Sequence, residues 1–585
     1  MGLTGIFQTA FSKINLSLRL LVGIVVASIV IYLIIIPLGV LVFSSFRATK
    51  ELLPFEATTY TFANYIQVFS SKLTYELLAN TFQYAVIALV IGLGLALTFS
   101  WFVERTNAPW RSVLVTFALA PLGVPGIVET IAWILVANPT NGIVNVWLRK
   151  WFDLSTQQGP INIYSIAGMG WITGLKLVPS AYIMLASIMA RMDPALEEAS
   201  LTSGASQFKT FVHITGSLMR PAILSVIILF GVLVIEMFET PAMLGMPKGI
   251  FVFSTLIYRA SHPPMGLPDY GLASGYGIIS LMIGAILIYL YHRMVRRQEK
   301  FAVVTGKGYR PRPIVLKRGW QGLFTGVMVV YILLSAVLPL LVLLWASFGI
   351  LHRPFALGAA TLDSYLQIAD YPGMLESCWN TLLISIGSAT GTMILSLLVA
   401  WLAVRSRFRG SWIPDRLTIA AVAIPNIVIA LALLFFYSHF PLPVYGTIWI
   451  IMIAHITRFL AYNSRVMNAA YLQIHKELEE ASEACGATWA TTMRKIVLPM
   501  LWPAFIRGWL WVFVHAIRDV SLALMLFAAY NQTVGVTLWQ IWMEHGNFRL
   551  GAAIAVPLLL VSLGLSLLIV RPTMRLKEPG IHQGE

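Results

Sequence analysis

Four ionisable residues lie deep in apolar runs of this chain, and they lie in register. Lys176 and Arg458 are 282 positions apart, and so are Glu236 and Arg518. A charge in hydrocarbon is costly unless it is paired or faces a water-filled path, so each marks a candidate pathway or gate position. Counted at about 1.5 Å per residue from the outer ends of their runs, all four fall about 14–15 Å deep. Glu129, Glu239 and Asp519 lie close to the same level. The expected arrangement pairs Glu236 with Arg458 or Arg518 across an interface; the plainer alternative is that these charges only lock helices together. His455 and His515 read as isolated, hydrogen-bonded core residues. The Met- and Trp-rich faces read as packing or lipid-facing surfaces.

The same 282-residue offset recurs in a polar loop. Leu196-Glu197-Glu198-Ala199-Ser200, Gly204-Ala205, Ile214 and Pro221 return as Leu478-Glu479-Glu480-Ala481-Ser482, Gly486-Ala487, Ile496 and Pro503. Polar loops between apolar spans have no general reason to match, so a duplicated one points to a surface used twice. Its start reads as a helix, with Asp193-Pro194 as N-cap and first turn and with Glu197 and Glu198 near the positive dipole end. Leu196, Ala199 and Ser203 fall near one face. Gly204 and Gly486 permit a turn that side chains resist. Phe211 and Ile214, or Met493 and Ile496, are placed to pack the loop onto the neighbouring helices, and Pro221 and Pro503 mark re-entry into the apolar phase.

The elements that position these residues follow from composition. The chain is 58% hydrophobic and only 11% charged, with a mean hydropathy of +0.79. A soluble chain of 585 residues cannot hide that much apolar surface. Runs long enough to cross about 30 Å of hydrocarbon fall near 19–43, 80–103, 113–137, 166–190, 221–245, 272–292, 322–348, 380–404, 416–438, 448–472, 503–527 and 551–570. They are too long and too little alternating for barrel strands. The fold class expected is an all-α polytopic membrane protein of about twelve transmembrane helices in two tandem six-helix domains. These are residues 1–292, with the repeated loop at about 193–221, and residues 320–585, with the loop at about 475–503. A basic, glycine- and proline-bearing linker at 293–319 joins them. Asn80-Thr81 and Asn380-Thr381 open the second spans, with Arg105 and Arg405 following them. An even number of spans per half gives the halves one orientation and a pseudo-two-fold axis along the membrane normal.

Most of the 40 basic residues fall in alternate loops, including Arg191, Lys209, Arg293 to Arg318, Lys476 and Arg494. That distribution places both termini and both repeated loops in the cytoplasm of a bacterial inner-membrane protein. It also accounts for the net charge of +15 without nucleic acid, which needs a clustered basic face. Cys378 and Cys485 fall on opposite sides of that topology, so a disulfide is not expected, and they have no metal-ligand spacing. The first apolar run is long enough to span and reads as a retained helix.

At this point the loops resemble the coupling loop of ABC importer membrane subunits: Glu-Ala, then Gly, nine intervening residues, then Ile-x-Leu-Pro. Glu480-Ala481, Gly486, Ile496, Leu498 and Pro499 fit throughout; Glu198-Ala199, Gly204 and Ile214 fit, but Gly216 and Ser217 replace the final Leu-Pro. The resemblance implies ATPase-coupling turns at Glu198, Ala199, Gly204 and Ala205, and at Glu480, Ala481, Gly486 and Ala487. It implies two ATP-binding subunits, a homodimer, carrying ATP-Mg, together with a solute-binding protein, and no cofactor in this chain. Further strings, Glu239-Thr240-Pro241-Ala242-Met243-Leu244-Gly245, Asp269-Tyr270-Gly271-Leu272-Ala273 and Val304-Thr305-Gly306-Lys307-Gly308, resemble fused permeases for iron(III). Relatives in that group handle thiamine, phosphonates or polyamines. Gly306-Lys307-Gly308 lacks the preceding glycine and the hydroxyl of a phosphate loop, and no convergent catalytic set occurs. The chain is therefore expected to be a permease rather than an enzyme. A secondary transporter, the main rival, has no need of matched docking loops.

Overall fold

The computed structural model describes residues 3–48, 53–191, 195–299, 314–349, 360–406, 410–440 and 442–575. The first half contributes α1 (Leu3–Ser45), α2 (Lys72–Arg105), α3 (Arg111–Leu119), α4 (Gly126–Ala137), α5 (Ile166–Arg191), α6 (Ala195–Thr202), α7 (Gly216–Glu236), α8 (Glu239–Leu244), α9 (Phe253–Ser261) and α10 (Tyr270–Glu299). The second half contributes α11 (Arg318–Ile332), α12 (Leu338–Ser347), α13 (Met374–Val404), α14 (Trp412–Ala421), α15 (Asn426–His439), α16 (Ile448–Leu472), α17 (Lys476–Ala484), α18 (Leu498–Ile517), α19 (Ser521–Leu526), α20 (Val534–Met543) and α21 (Phe548–Arg575). Among the described residues there are no strands, only two isolated bridges.

Nine helices of the described residues are long and apolar enough to cross a membrane, and three bent pairs bring the number to as many as twelve. This is the all-α polytopic architecture read from the sequence, but the spans divide differently. The runs at 113–137 and 416–438 are not straight helices. α3 and α4 meet at 100°, and α14 and α15 at 113°. The cause is local: Pro125 and Pro425 hold extended backbone at φ −61°, ψ 139° and φ −59°, ψ 143°, and proline disfavours helix in the residue before it. The runs expected at 221–245 and 503–527 also stop short. α7 ends at Glu236 and α18 at Ile517, and the chain then turns into α8 and α19. α8, with the short turn after it, bends by 72° into α9. α16 spans 25 residues but carries Arg458, Arg465 and His455, and is too polar to count among the nine. At the junction between halves, α10 continues to Glu299, into the stretch expected as linker. Ile314 pairs in parallel with Thr106, its N–H donating to the Arg105 carbonyl at 2.8 Å.

Within each half the second span packs on the fourth: α2 on α5, and α13 on α16. The first span of each half crosses over to the other. α1 lies against α14 and α15, and α11 and α12 lie against α3 and α4. Tyr32 and Tyr437 share a 2.6 Å hydrogen bond across that crossing. The last span crosses as well, and small residues set its closest approach. A Cβ on Gly284 of α10 would meet the Ala423 carbonyl at 2.4 Å, and one on Gly123 would meet Leu563 Cα of α21 at 3.0 Å. Each broken third span is thus clasped by the final helix of the opposite half, which makes the halves one packed body.

Gly284→Val should therefore cost about 1–3 kcal/mol of packing and lower the thermal unfolding midpoint of the purified protein. Gly94→Ala, at a site with nothing within 4 Å, should leave the midpoint level or raise it. Equal midpoints for the two variants would contradict the close crossing.

Candidate functional site

The repeated loops adopt one conformation twice. In each, a short helix (α6 or α17) ends at a left-handed glycine, Gly204 at φ +86° or Gly486 at φ +82°. A residue with a side chain resists that conformation, and both glycines face open space. The N–H of Ala205 bonds the Ser200 carbonyl at 3.1 Å, and that of Ala487 bonds the Ser482 carbonyl at 3.1 Å. Ser200 shares a 2.8 Å hydroxyl hydrogen bond with Thr210, as Ser482 does with Thr492. A single π-helical turn follows in each copy, Phe211–Thr215 and Met493–Val497, before α7 and α18 begin.

One carboxylate in each loop ties it to the body. Glu197 pairs with Arg105 at 3.6 Å, and Glu479 pairs with Arg405 at 2.8 Å. The first pair is buried, and Glu197 also accepts from Thr215 Oγ1 at 2.6 Å. Glu483 is further paired with Arg19 of α1. The neighbouring positions are presented outward: Ala199, Gly204, Glu480, Ala481 and Gly486 are exposed, while Glu198, Ala205 and Ala487 are half-buried. Leu196 and Leu478 are exposed as well. Ile214, Met493 and Ile496 are half-buried where the loops rejoin the helices. Asp193-Pro194 and the Phe211 side chain fall outside the described residues. Sequence reasoning singled out the outward residues and missed the anchors. A signal existed, because Glu197 and Glu479 keep the 282 offset and Arg105 and Arg405 follow matching Asn-Thr pairs.

Lys176, Glu236, Arg458 and Arg518 line one cavity of about 220 Å³ between the halves. Breaks in the helices build its wall, since Leu122, Gly126, Asn426 and Ser521 line it too. The pairing differs from expectation. Arg458 pairs with Asp519 at 2.7 Å and Lys176 with Glu239 at 3.4 Å, each within its own half. Arg518 instead donates to the Leu122 carbonyl of the first half, and Glu236 has no ion-pair partner among the described residues. The reason is reach. Each chain break places an acid, Glu239 or Asp519, directly beside the cation of its own fourth span. Asp519 also accepts from the Leu522 N–H at 3.0 Å, capping α19. Lys176 and Glu239 sit so close over Gly126 that a Cβ there would overlap both. Glu239 and Asp519 thus hold pairing roles that their depth alone did not assign.

His455 is less isolated than expected, with Nε2 3.4 Å from Asp519 and Nδ1 3.3 Å from Ser388 Oγ. His515 stacks on Trp511 with ring centroids 3.9 Å apart. Glu129 is fully buried behind the cavity, and neither of its oxygens has a hydrogen-bond partner among the described residues. Cys378 and Cys485 are free and exposed. Among the described residues no group of three or more His, Cys, Asp or Glu is placed to hold a metal ion. The arrangement therefore offers two outward turns at matched positions and a charged cavity between halves.

A family model described as the binding-protein-dependent transport system inner membrane component matches residues 88–300 and again 392–572, once in each half and over more than half of the chain. A ferric transport system permease protein of Actinobacillus pleuropneumoniae is 24% identical over 83% of this chain and 68% of its own length. An Fe(3+)-transport system permease protein of Haemophilus influenzae is 24% identical over 80% of this chain and 84% of its own. A spermidine/putrescine transport system permease protein of Haemophilus influenzae is 25% identical over 32% of this chain and 72% of its own.

The two loop anchors should differ in strength. Removing one partner of a buried pair costs about 3–5 kcal/mol, so Glu197→Ala should strongly raise amide exchange across α6. Glu479→Ala, at the more exposed pair, should loosen α17 by less. The reverse ranking in hydrogen-exchange mass spectrometry would contradict the anchoring geometry.

Proposed function

The chain belongs to the family of binding-protein-dependent transport system inner membrane components, and on that premise we propose that it carries ferric iron across the bacterial inner membrane as the permease of an ATP-driven importer. The observation that carries this reading is the pair of loops: two turns of one conformation, fixed by matching hydrogen bonds and an Arg–Glu anchor. A motor that drives both halves needs one grip on each. Iron as cargo is supported by ferric permease relatives that extend over about four fifths of the chain. The polyamine permease relative, matched over a single stretch, keeps polyamine as the second cargo to test.

In this reading residues 1–292 and 320–585 are the two permease domains, joined by the basic linker at 293–319. Both termini and both loops face the cytoplasm, where positive residues are retained. The exposed turns around Glu198, Ala199, Gly204 and Ala205, and around Glu480, Ala481, Gly486 and Ala487, seat two ATP-binding subunits of one kind. Those subunits hold ATP-Mg and hydrolyse it; this chain contributes no catalytic group and holds no cofactor. A solute-binding protein delivers cargo on the opposite face. Nucleotide binding favours one arrangement of the motor, and the loops pass that preference to α7 and α18. The halves then rock about the cavity lined by Lys176, Glu236, Arg458 and Arg518, which lies on the path or gates it.

The coupling turns are testable together. A side chain at a left-handed position costs about 1–2 kcal/mol, so Gly204→Val with Gly486→Val should distort both turns yet leave the helices inserted. The assembly should keep hydrolysing ATP while uptake of ferric iron from its binding protein falls at least about tenfold, a factor equivalent to about 1.4 kcal/mol of coupling. Full uptake in the double variant would reject coupling through these turns. Uptake of spermidine but not iron by the unaltered assembly would reject the cargo.

A further inference from the structure

Both third spans break at a proline and both breaks are clasped by the last helix of the opposite half, but among the described residues a side chain of the opposite half bolts down only one of them. In the first half, residues Ala120–Gly123 form a tight 3-10 turn whose last carbonyls have few partners within the helix. The Val124 N–H takes the Pro121 carbonyl at 3.0 Å. The Leu122 carbonyl is taken by Arg518, which follows α18 in the second half. The matching turn of the second half lies 300 positions on, at Val422, as Pro425 matches Pro125. The residue in register with Arg518 is Glu236, 282 positions earlier. Glu236 makes no hydrogen bond or ion pair to that turn among the described residues, so the second break has no equivalent bolt there.

Arg518 is also unusual among the cations of the cavity. Lys176 and Arg458 each face a carboxylate of their own half, and those pairs can travel with the half that holds them. The guanidinium of Arg518 spans the interface. Any motion that separates α18 from the break between α3 and α4 must undo this bond first. Across the interface the break is otherwise held by packing, of Gly123 against Leu563 and Ser566 of α21 and of α11 and α12 against α3 and α4.

We infer that Arg518 is a one-sided latch: a positioning residue of the second half that holds the broken third span of the first half across the cavity, and that releases in each transport cycle. The inference rests on the importer reading and deepens it by assigning unequal roles to the two halves. A contact that must break in every cycle adds to the barrier for leaving this arrangement. Its removal therefore lets the motor cycle without cargo.

The test measures ATP hydrolysis by the full assembly, permease with its ATP-binding subunits, in lipid vesicles with and without the solute-binding protein. Arg518→Leu should raise hydrolysis in the absence of binding protein by about ten- to a hundredfold, the range set by losing one charge-assisted hydrogen bond. Arg518→Lys, which keeps a donor, should return it most of the way to the original level. Glu236→Arg, which offers a donor to the second break, should lower it. Should Arg518→Leu fail to assemble, Arg518→Met decides, since it keeps the length without a donor and should show the same rise, whereas Arg518→Gln, whose amide still donates, should keep idle hydrolysis low. No rise in an assembled Arg518→Leu protein would overturn the latch. So would a rise in Glu236→Arg, or a rise in Arg518→Gln with none in Arg518→Lys, because charge rather than donation would then be at work. An assembly that hydrolyses no ATP in any form would refute the importer reading, a result separable from all of these.

Discussion

Hydrocarbon offers no hydrogen bonds, so a membrane chain can break its helices or carry charge only where protein encloses the break. This protein gathers its irregular backbone accordingly. The breaks at Pro125 and Pro425, and the ends of α7 and α18, lie around one cavity between the halves. Charges supplied by the same breaks balance the charges of the fourth spans. Asp519 follows the end of α18 and neutralises Arg458 while capping α19; Glu239 opens α8 and neutralises Lys176. Removing the interface would leave both the backbone and the charges facing lipid.

That constraint explains why the halves exchange their outer helices. Each broken third span needs cover, and the first and last spans of the opposite half provide it, as α1 does for α14 and α15 and α12 does for α4. Close approach requires small residues at the crossing, which Gly284 and Gly123 supply. The same interlock makes the cavity a shared structure, so a displacement of either loop acts on both sides of it. Differences between the halves then become meaningful. The first loop is anchored by a buried Arg–Glu pair, the second by a more exposed pair with Arg19 beside it. The registered positions 236 and 518 carry opposite charges, and only the arginine reaches across.

The all-α polytopic fold, the duplication and the two outward turns were legible in the residues themselves. Apolar run length is dictated by bilayer thickness, and an unbroken 282-residue offset preserves turn chemistry at Gly204 and Gly486. Legibility ended where a partner lay far away in the chain. Glu236 was expected to pair with Arg458 or Arg518 because depth places them at one level. Depth, however, says nothing about azimuth around a helix bundle. Glu239 and Asp519 won those contacts because the chain breaks put them within reach. The third spans read as single apolar runs in the sequence, because apolarity marks length but not direction.

What the sequence determined alone is whatever depends on local chemistry: helices long enough to span, prolines that interrupt them, and glycines that permit a left-handed turn. Tertiary structure alone decided which half covers which break, which carboxylate meets which cation, and that Arg518 ends on a carbonyl rather than an acid. The physical reason is distance. Backbone preferences act over a few residues, whereas charge pairing and close packing act over a few ångströms between segments hundreds of positions apart, and only folding brings those segments together.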